Sequence, residues 1–248
     1  MTRVALVTGA ASGIGKACAV RLAREGRAVG VLDLSLEGCQ LVVDEIVAAG
    51  GKAMALAASI TDRPGVAAAV AALRAAFGPV TIVVNNAGIS NFIGFEELTD
   101  ADWDKMFEIN TKGTFIVTQT VLPDMKAAGW GRVINISSSS AQTGSQEQVH
   151  YSASKGAVIA MTRSLAIALG PLGITVNNIP PGVVMQTIMS EANVHRFPIP
   201  MEQVKKIIPV GRTGVPDDIA NACAWLASED SGYVSGQTIG VNGGRVVS

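Results

Sequence analysis

Tyr151 and Lys155 are four residues apart, a spacing that places two side chains on one face of a helix. An isolated tyrosine has a pKa near ~10 and exchanges protons poorly at neutral pH. A cation held one turn away favours the phenolate and lowers that pKa, so Tyr151 could act as an acid or base near pH 7. Many helices carry this pair by chance, and the interpretation therefore depends on the rest of the chain.

The start of the chain shows a strand, a glycine-rich turn and a helix in that order. Apolar residues 4–7 lead into a turn at residues 8–15, and a helical pattern continues from about Lys16 to Arg24. Glycines let the backbone approach a pyrophosphate, and a helix N-terminus offers free N–H groups with partial positive charge. A purely structural turn is the alternative. The candidate cofactor-binding residues here are Gly9, Ser12, Gly13, Ile14 and Gly15.

Asp33 ends the second predicted strand and lies 18 residues after Gly15. This is close to the spacing of the carboxylate that binds the hydroxyls of an adenosine ribose. A 2′-phosphate at that point would be repelled by about 4 kcal/mol per charge pair at 4 Å and an effective dielectric of 20. Because no Arg or Lys follows Asp33 before Lys52, the sequence favours NAD over NADP. A solvated carboxylate at a strand end is the alternative.

Strands and helices alternate along the whole chain. Strands that are apolar on both faces and alternate with helices indicate a parallel sheet covered on both sides, and right-handed crossovers make it doubly wound. The predicted fold class is therefore α/β, a single Rossmann-type sheet of about seven strands in the order 3-2-1-4-5-6-7. The predicted strands are residues 4–7, 28–32, 52–57, 80–84, 132–136, 173–179 and 236–241.

Residues 183–210 lack strand character, and a stretch this long inside a compact domain is usually a lid or a substrate loop. We expect one dinucleotide-binding domain over residues 1–248, with a substrate-loop insertion at about 183–210. The helix at 151–170 is apolar on almost every side, and the helix at 113–128 is similar. A surface helix should show a polar stripe. We therefore expect a homo-oligomer, most simply a homotetramer, with both helices at its interfaces.

The composition argues against several classes of function. The 248 residues are 48% apolar with a net charge of −1 and no block of like charge, which does not fit a nucleic-acid or anionic-membrane partner. We expect no membrane span and no signal peptide. Three scattered cysteines lack metal-ligand spacing, so no metal is expected. Cys18 and Cys223 fit core positions of a protein in the reducing cytoplasm.

Taken together, the motifs resemble the short-chain dehydrogenase/reductase family over the whole chain, and the overall similarity is close to its 3-oxoacyl-carrier-protein reductases. Each motif is weak alone, but six in this order are specific. The matching residues are Thr8-Gly9-x-x-x-Gly13-Ile14-Gly15, Asn85-Asn86-Ala87-Gly88, Asn110, Ser138, Tyr151-x-x-x-Lys155 and Pro181-Gly182.

The resemblance implies a role for each catalytic residue. Tyr151 is the acid or base at the substrate oxygen, and Lys155 binds the nicotinamide ribose and lowers the tyrosine pKa. Ser138 hydrogen-bonds the substrate oxygen, and Asn110 helps to hold a water near Lys155. On chemistry alone Ser137 and Ser139 compete with Ser138, and the family spacing selects Ser138. The resemblance extends the cofactor-binding residues to Asn86, Ala87, Gly88, Tyr151, Lys155, Pro181, Gly182 and Val184.

The expected activity is NAD(H)-dependent interconversion of a secondary alcohol and a ketone on a small to medium, largely apolar molecule. A 3-oxoacyl-thioester reductase is the alternative, although the family's basic carrier-binding positions correspond to Gly129 and Leu172 here. A non-catalytic dinucleotide sensor is a remoter alternative. The family threonine that contacts the nicotinamide amide falls on Gln186, with Thr187 next. The expected substrate-binding residues are Ser138, Gln142, His150, Tyr151, Met185 and Met189.

Overall fold

The computed structural model describes residues 2–193, 195 and 200–247. Within them, six parallel strands form one sheet in the order β3-β2-β1-β4-β5-β6, which confirms the predicted fold class. Parallel strands bring all their carboxyl ends to one edge, where ligands of such sheets bind. The strands are β1 Val4–Thr8, β2 Ala28–Asp33, β3 Lys52–Ala57, β4 Val80–Asn85, β5 Gly131–Ile136 and β6 Ile174–Ile179.

Helices cover both faces of the sheet. The first, second and tenth pack on one face, and the third, fifth and seventh pack on the other. The helices are α1 Gly13–Arg24, α2 Leu36–Ala48, α3 Arg63–Phe77, α4 Asp100–Phe107, α5 Thr114–Ala128, α6 Ser140–Thr143, α7 Val149–Leu169, α8 Ile188–Ala192, α9 Met201–Ile207 and α10 Pro216–Leu226.

The first strand shows why its sequence is apolar throughout. Side chains alternate between the faces of a sheet, so Ala5 and Val7 enter the core beneath α1, while Val4 and Leu6 enter the core on the opposite face. All four are buried. Burial of one Val or Leu side chain contributes about 1.5–3 kcal/mol, and a strand with two buried faces therefore anchors the turn that follows it.

The predicted seventh strand forms only in part, so the sheet of the described residues has six strands rather than about seven. Residues 236–241 run parallel to β6, but they form isolated bridges at Thr238 and Val241. The side chain of Asn177 in β6 explains the interruption, because its Oδ1 accepts the Gln237 N–H at 3.1 Å. That donor is thereby directed to a side chain instead of a strand backbone.

Two predicted segments differ in detail. The helix expected at 113–128 begins at Thr114, and a π-helical turn, Glu108–Gly113, which contains Asn110, joins it to α4. Residues 183–210, expected to form a loop, contain the short helices α8 and α9. Residues 194 and 196–199 of this segment lie outside the described residues.

The three cysteines, Cys18, Cys39 and Cys223, are buried and form no disulfide with one another. Burial confirms the core positions predicted for Cys18 and Cys223. None of the described helices has both the length and the apolarity that crossing a bilayer requires.

Candidate active site

The turn after β1 can only be built with glycine at particular positions. Gly9 and Gly13 have φ of 63° and 54°, a region that other residues rarely adopt. A Cβ at Gly15 would lie 2.1 Å from the carbonyl oxygen of Gly9. Ser12 precedes α1 and its hydroxyl makes no capping hydrogen bond, so the hydroxyl and the first N–H groups of α1 can serve an anionic ligand. Ile14 lies in the first turn of α1.

Hydrogen bonds join this turn to the residues that follow β4. The hydroxyl of Thr8 accepts the N–H groups of Asn86 and Ala87, each at 3.1 Å. In return, the side-chain amide of Asn86 donates to the carbonyls of Thr8 and Gly9 at 3.0 Å. Two strand ends are thus fixed to each other by four hydrogen bonds, and the wall beside the glycine turn is preorganised.

Asp33 lies at the carboxyl end of β2 and faces the glycine turn. Its Oδ2 accepts the N–H of Ala11 at 3.1 Å, and its Oδ1 accepts the N–H of Leu34 at 2.7 Å. These two hydrogen bonds from backbone N–H groups fix the direction of the carboxylate. The next residues, Leu34, Ser35 and Leu36, carry no positive charge. The position suits a ligand with neutral hydroxyls better than one with a phosphate.

Tyr151 and Lys155 lie in the first turns of α7, and both side chains are almost completely buried. The ammonium of Lys155 donates to the carbonyl of Ile136 at 3.0 Å and lies 6.0 Å from the centroid of the tyrosine ring. Burial disfavours its charge and lowers the pKa of Lys155 to about 8. Lys155 therefore remains largely protonated at neutral pH.

Burial also raises the pKa of Tyr151, and a hydrogen bond with the Ser138 side chain opposes that rise in part. We expected Lys155 to lower the tyrosine pKa. The structure differs because desolvation of the buried phenol is the largest effect on its pKa, and the Lys155 ammonium donates to a backbone carbonyl. Tyr151 is consequently a protonated phenol at neutral pH, which is the form that donates a proton.

The geometry distinguishes the three serines after β5. The Ser138 hydroxyl lies near enough to the Tyr151 side chain to affect its pKa, and it accepts hydrogen bonds from the Ser140 hydroxyl at 2.9 Å and the Ser140 N–H at 3.2 Å. The Ser137 hydroxyl is buried without a partner in the described residues, and Ser139 occupies the N-cap position of α6 without a side-chain capping hydrogen bond. Of these serines, Ser138 is the one that meets the tyrosine.

Asn110 is fully buried within the π-helical turn. Its amide donates to the carbonyl of Ile89 at 3.0 Å and to the hydroxyl of Ser154 at 3.1 Å, and its Oδ1 accepts the N–H of Ile89 at 2.9 Å. A Cβ at Gly88 would lie 2.9 Å from Asn110 Oδ1 and 3.2 Å from Lys155 Nζ. Gly88 in the segment after β4, Asn110 in the π-helical turn and Lys155 in α7 therefore meet at one point. The water expected beside Asn110 stays a prediction.

The segment after β6 is anchored before it enters α8. Pro181 bridges to Val241, and Val184 bridges to Gly214. Space beside Gly182 is limited, since a Cβ there would lie 2.9 Å from Asn242. These contacts bring Pro181, Gly182 and Val184 to the edge where the glycine turn lies.

Gln186 and Thr187 take different positions. Gln186 is exposed and has a φ of 63°, while Thr187 caps α8 and lies 3.3 Å from a Cβ built on Gly13. Gln186 adopts a left-handed backbone conformation, and the next residue, Thr187, lies beside the glycine turn. Thr187 is thus the better candidate for a cofactor contact, which the spacing from Pro181 did not reveal.

The expected substrate-binding side chains are only partly brought together. Gln142 and Met189 are exposed, and Met185 is half-buried. His150 is fully buried, and its Nε2 bonds the side chain of Asn91. A direct contact between His150 and substrate, as expected from the sequence, is not supported by this geometry.

Comparison with known proteins agrees with this arrangement. Residues 9–245 match a family model described as enoyl-(acyl carrier protein) reductase. The chain is 38% identical over 245 residues to the 3-oxoacyl-(acyl-carrier-protein) reductase FabG of Thermotoga maritima, covering 99% of this chain and 98% of the relative. The chain belongs to the short-chain dehydrogenase/reductase family. Members of this family are oxidoreductases that use a nicotinamide dinucleotide.

Two further relatives in the short-chain dehydrogenase/reductase family show its range. A hydroxy(phenyl)methylsuccinyl-CoA dehydrogenase subunit, BbsD of Thauera aromatica, is 41% identical over 246 residues, covering 98% of this chain and 96% of the relative. A variant of actinorhodin polyketide ketoreductase, solved with NADPH, superposes with a TM-score of 0.92 at 35% identity, covering 98% of this chain and 97% of that one. The likeness to a ketoreductase and to a dehydrogenase supports redox chemistry at a carbon bearing oxygen.

Proposed function

We propose that this protein is an NAD(H)-dependent dehydrogenase/ketoreductase that interconverts a secondary alcohol and a ketone on a small to medium, largely apolar substrate. The observation that carries the proposal is the contact between the Tyr151 and Ser138 side chains, beside buried Lys155. A bound nicotinamide dinucleotide would exchange a hydride with the substrate carbon. Two hydroxyls that point at one oxygen are what the accompanying proton transfer requires.

In the direction of reduction, the Tyr151 phenol donates its proton to the carbonyl oxygen, and the Ser138 hydroxyl donates a hydrogen bond to the same oxygen. The Lys155 ammonium stabilises the phenolate that forms, since it lies one turn away in a buried environment. Asn110 joins Ile89, in the segment after β4, to Ser154 in α7. In oxidation, the phenolate accepts the proton of the alcohol, so the same groups work in both directions.

The choice of NAD rests on Asp33. Its carboxylate is oriented by two backbone N–H groups, and the residues that follow it offer no cation. A 2′-phosphate at this position would meet an unneutralised negative charge. The polyketide ketoreductase relative was solved with NADPH, so the proposal assigns this chain a different preference from that relative.

A 3-oxoacyl-thioester reductase is the second candidate. It is favoured by the 38% identity to FabG and by the coenzyme A thioester in the name of BbsD. Against an acyl-carrier substrate, Gly129 and Leu172 stand where basic residues would meet an acidic carrier. Assay of acyl-CoA thioesters and their free ketone analogues with NADH and NADPH separates the two candidates. A non-catalytic dinucleotide sensor is disfavoured because no sensor requires the Tyr151–Ser138 contact.

We also propose a homotetramer that works in the cytoplasm, where its three free cysteines suit a reducing environment. The outward face of α7 supports the assembly, because Ala160 is exposed and Ile167 retains 80% of its surface. Ile167→Glu would place a charge in that interface. Light scattering should then show a smaller particle than the wild-type protein, and an unchanged mass would exclude α7 from the contact.

The mechanism is tested with Tyr151→Phe, which removes one oxygen atom. We expect turnover to fall by about 10³-fold, within the usual range for loss of a general acid, while NADH affinity changes little. Tyr233→Phe is the matched control, because Tyr233 is the chain's other tyrosine and is fully exposed. If Tyr151→Phe turns over as fast as Tyr233→Phe, the proposed mechanism is wrong.

A further inference from the structure

Three hydrogen bonds fasten the segment after β4 to the segment that precedes Tyr151. The N–H of Ile93 donates to the carbonyl of Glu147 at 2.8 Å. The side-chain amide of Gln148 donates to the Ser90 hydroxyl at 2.7 Å, and Nε2 of His150 bonds Oδ1 of Asn91. We call the contacts between residues 90–93 and 147–150 the clasp. The second of these segments leads directly into Tyr151.

His150 is the unusual member of the clasp. The imidazole is fully buried, and Nδ1 has no hydrogen-bond partner among the described residues. Because Asn91 Oδ1 can only accept a hydrogen bond, Nε2 carries the proton and Nδ1 is the bare nitrogen of a neutral ring. A neutral, fully buried imidazole one residue before Tyr151 can hold that residue in place, but it cannot reach a substrate without moving.

We propose that neutral His150 is a positioning residue. It ties the loop after β4 to the first turn of α7 and so fixes Tyr151 relative to that loop. This inference rests on the proposed oxidoreductase function and deepens it. It assigns His150 a role through Asn91 and Tyr151 instead of a direct substrate contact.

Protonation of His150 should weaken the clasp. The imidazolium would place an N–H at Nδ1, where the described residues offer no acceptor, and a buried charge without a partner is costly. Burial accordingly lowers the pKa of His150, and the carboxylate of Asp102 in α4 opposes this in part. The other titratable groups nearby, Tyr151 and Lys155 on the same helix, change charge only at higher pH.

The sign of the pH effect follows from that shift. The pKa of His150 is lower in the folded protein than the ~6.5 of a free imidazole. The contribution of the neutral ring is therefore complete above pH ~6.5, and it is lost as the pH falls through the folded pKa. Turnover at saturating NADH and substrate should have an acid limb below pH ~6.5 that belongs to His150.

Two variants separate hydrogen bonding from shape. His150→Gln keeps a side-chain N–H for Asn91 but cannot titrate, so it should retain turnover at pH 8 and lose the acid limb. His150→Phe keeps a ring but removes the donor, and we expect kcat to fall by about tenfold or more with unchanged NADH affinity, since small misplacements of catalytic groups are costly. His195→Gln is the control for removal of a histidine. His195 lies in the substrate segment 183–210, so only the pH profile is compared, and its acid limb should match that of the wild type.

Proton NMR of the imidazoles provides a readout that does not depend on activity. The chain has two histidines, and the signal that is missing from the spectrum of His150→Gln should titrate below ~6.5 in the wild type. If His150→Phe fails to fold, Asn91→Leu removes the acceptor from the other side of the clasp and should lower kcat similarly.

An acid limb that persists in His150→Gln, or wild-type kcat in both His150→Phe and Asn91→Leu, would overturn the inference. The proposed function is judged separately by Tyr151→Phe. If Tyr151→Phe is inactive while the His150 variants behave as wild type, the clasp proposal fails and the oxidoreductase proposal stands.

Discussion

The glycine turn after β1 and the segment after β6 lie at the same edge of the sheet, but they are held in different ways. In the turn, backbone touches backbone, and the space at Gly15 is too small for a methyl group. The segment after β6 is anchored at Val184 and then passes into α8 and α9, which have five and seven residues. Exposed apolar side chains such as Ile188 and Met189 remain on it.

This difference separates two tasks. The dinucleotide is the same molecule for many reactions, and a site made of backbone atoms and buried strands suits a ligand that does not change. A substrate varies, and short helices with exposed side chains can be altered without disturbing the strands. We infer that reaction class is encoded in the turns after β1, β4 and β5, while residues 183–210 decide which alcohol or ketone is bound.

The sharpest test of the glycine turn after β1, where backbone packs against backbone, is Gly15→Ala. The added methyl would lie 2.1 Å from the carbonyl oxygen of Gly9, so the turn must shift, and overpacking of this kind costs about 1–3 kcal/mol or more. We expect NADH affinity, measured by fluorescence titration, to fall by about 100-fold, the equivalent of about 3 kcal/mol. The unfolding temperature should fall as well.

Gly170→Ala is the matched control for that change. Gly170 has a φ of −51°, and a Cβ there meets nothing within 4 Å. Its NADH affinity should remain within about twofold of wild type, since no atom of the turn has to move. Equal losses of affinity in the two variants would show that the turn is not specially constrained, and the contrast between the two regions would disappear.

A smaller effect is expected at Asp33, where a side chain rather than the backbone makes the selection. Asp33→Asn keeps an acceptor for the Ala11 N–H and removes the charge. The ratio of kcat/KM for NADH to that for NADPH should fall by about 30-fold, because the repulsion of ~4 kcal/mol is reduced by solvent at a half-buried group. Asp44→Asn on the exposed face of α2 is the control. A wild-type enzyme that already prefers NADPH would refute the assignment.

Much of the glycine turn and of the sheet that carries it could be predicted from the sequence. Glycines at 9, 13 and 15 follow an apolar strand, and close backbone approach is the physical reason for glycine at such points. The alternation of apolar strands with helices predicts a doubly wound parallel sheet, because crossovers are right-handed, and 3-2-1-4-5-6 is the order usual for dinucleotide-binding sheets. The Tyr151–Lys155 spacing predicts that both side chains lie on one helical face.

Features set by side chains distant in sequence could not be predicted in this way. The partial seventh strand depends on an Asn177 side chain that takes a ladder hydrogen bond, and spacing along the chain does not reveal such a contact. The burial of His150 against Asn91 joins residues 59 positions apart. The pKa of Tyr151 depends on desolvation and on the nearby Ser138 side chain, both of which are tertiary properties.

The least disruptive test belongs to the segment after β6. Met189 lies on α8 and is 42% exposed, so Met189→Ala removes apolar contact with a substrate without creating a cavity in the core. A lost methylene contact is worth about 0.8 kcal/mol, and we expect kcat/KM for a bulky apolar ketone to fall about fivefold. Small ketones and NADH affinity should be almost unaffected. Leu41→Ala, which shortens an exposed side chain on α2, should change neither. Met189→Ala could instead lose as much NADH affinity as ketone activity. The glycine turn and the segment after β6 would then bind one ligand together, and the proposed separation of cofactor binding from substrate binding would not hold.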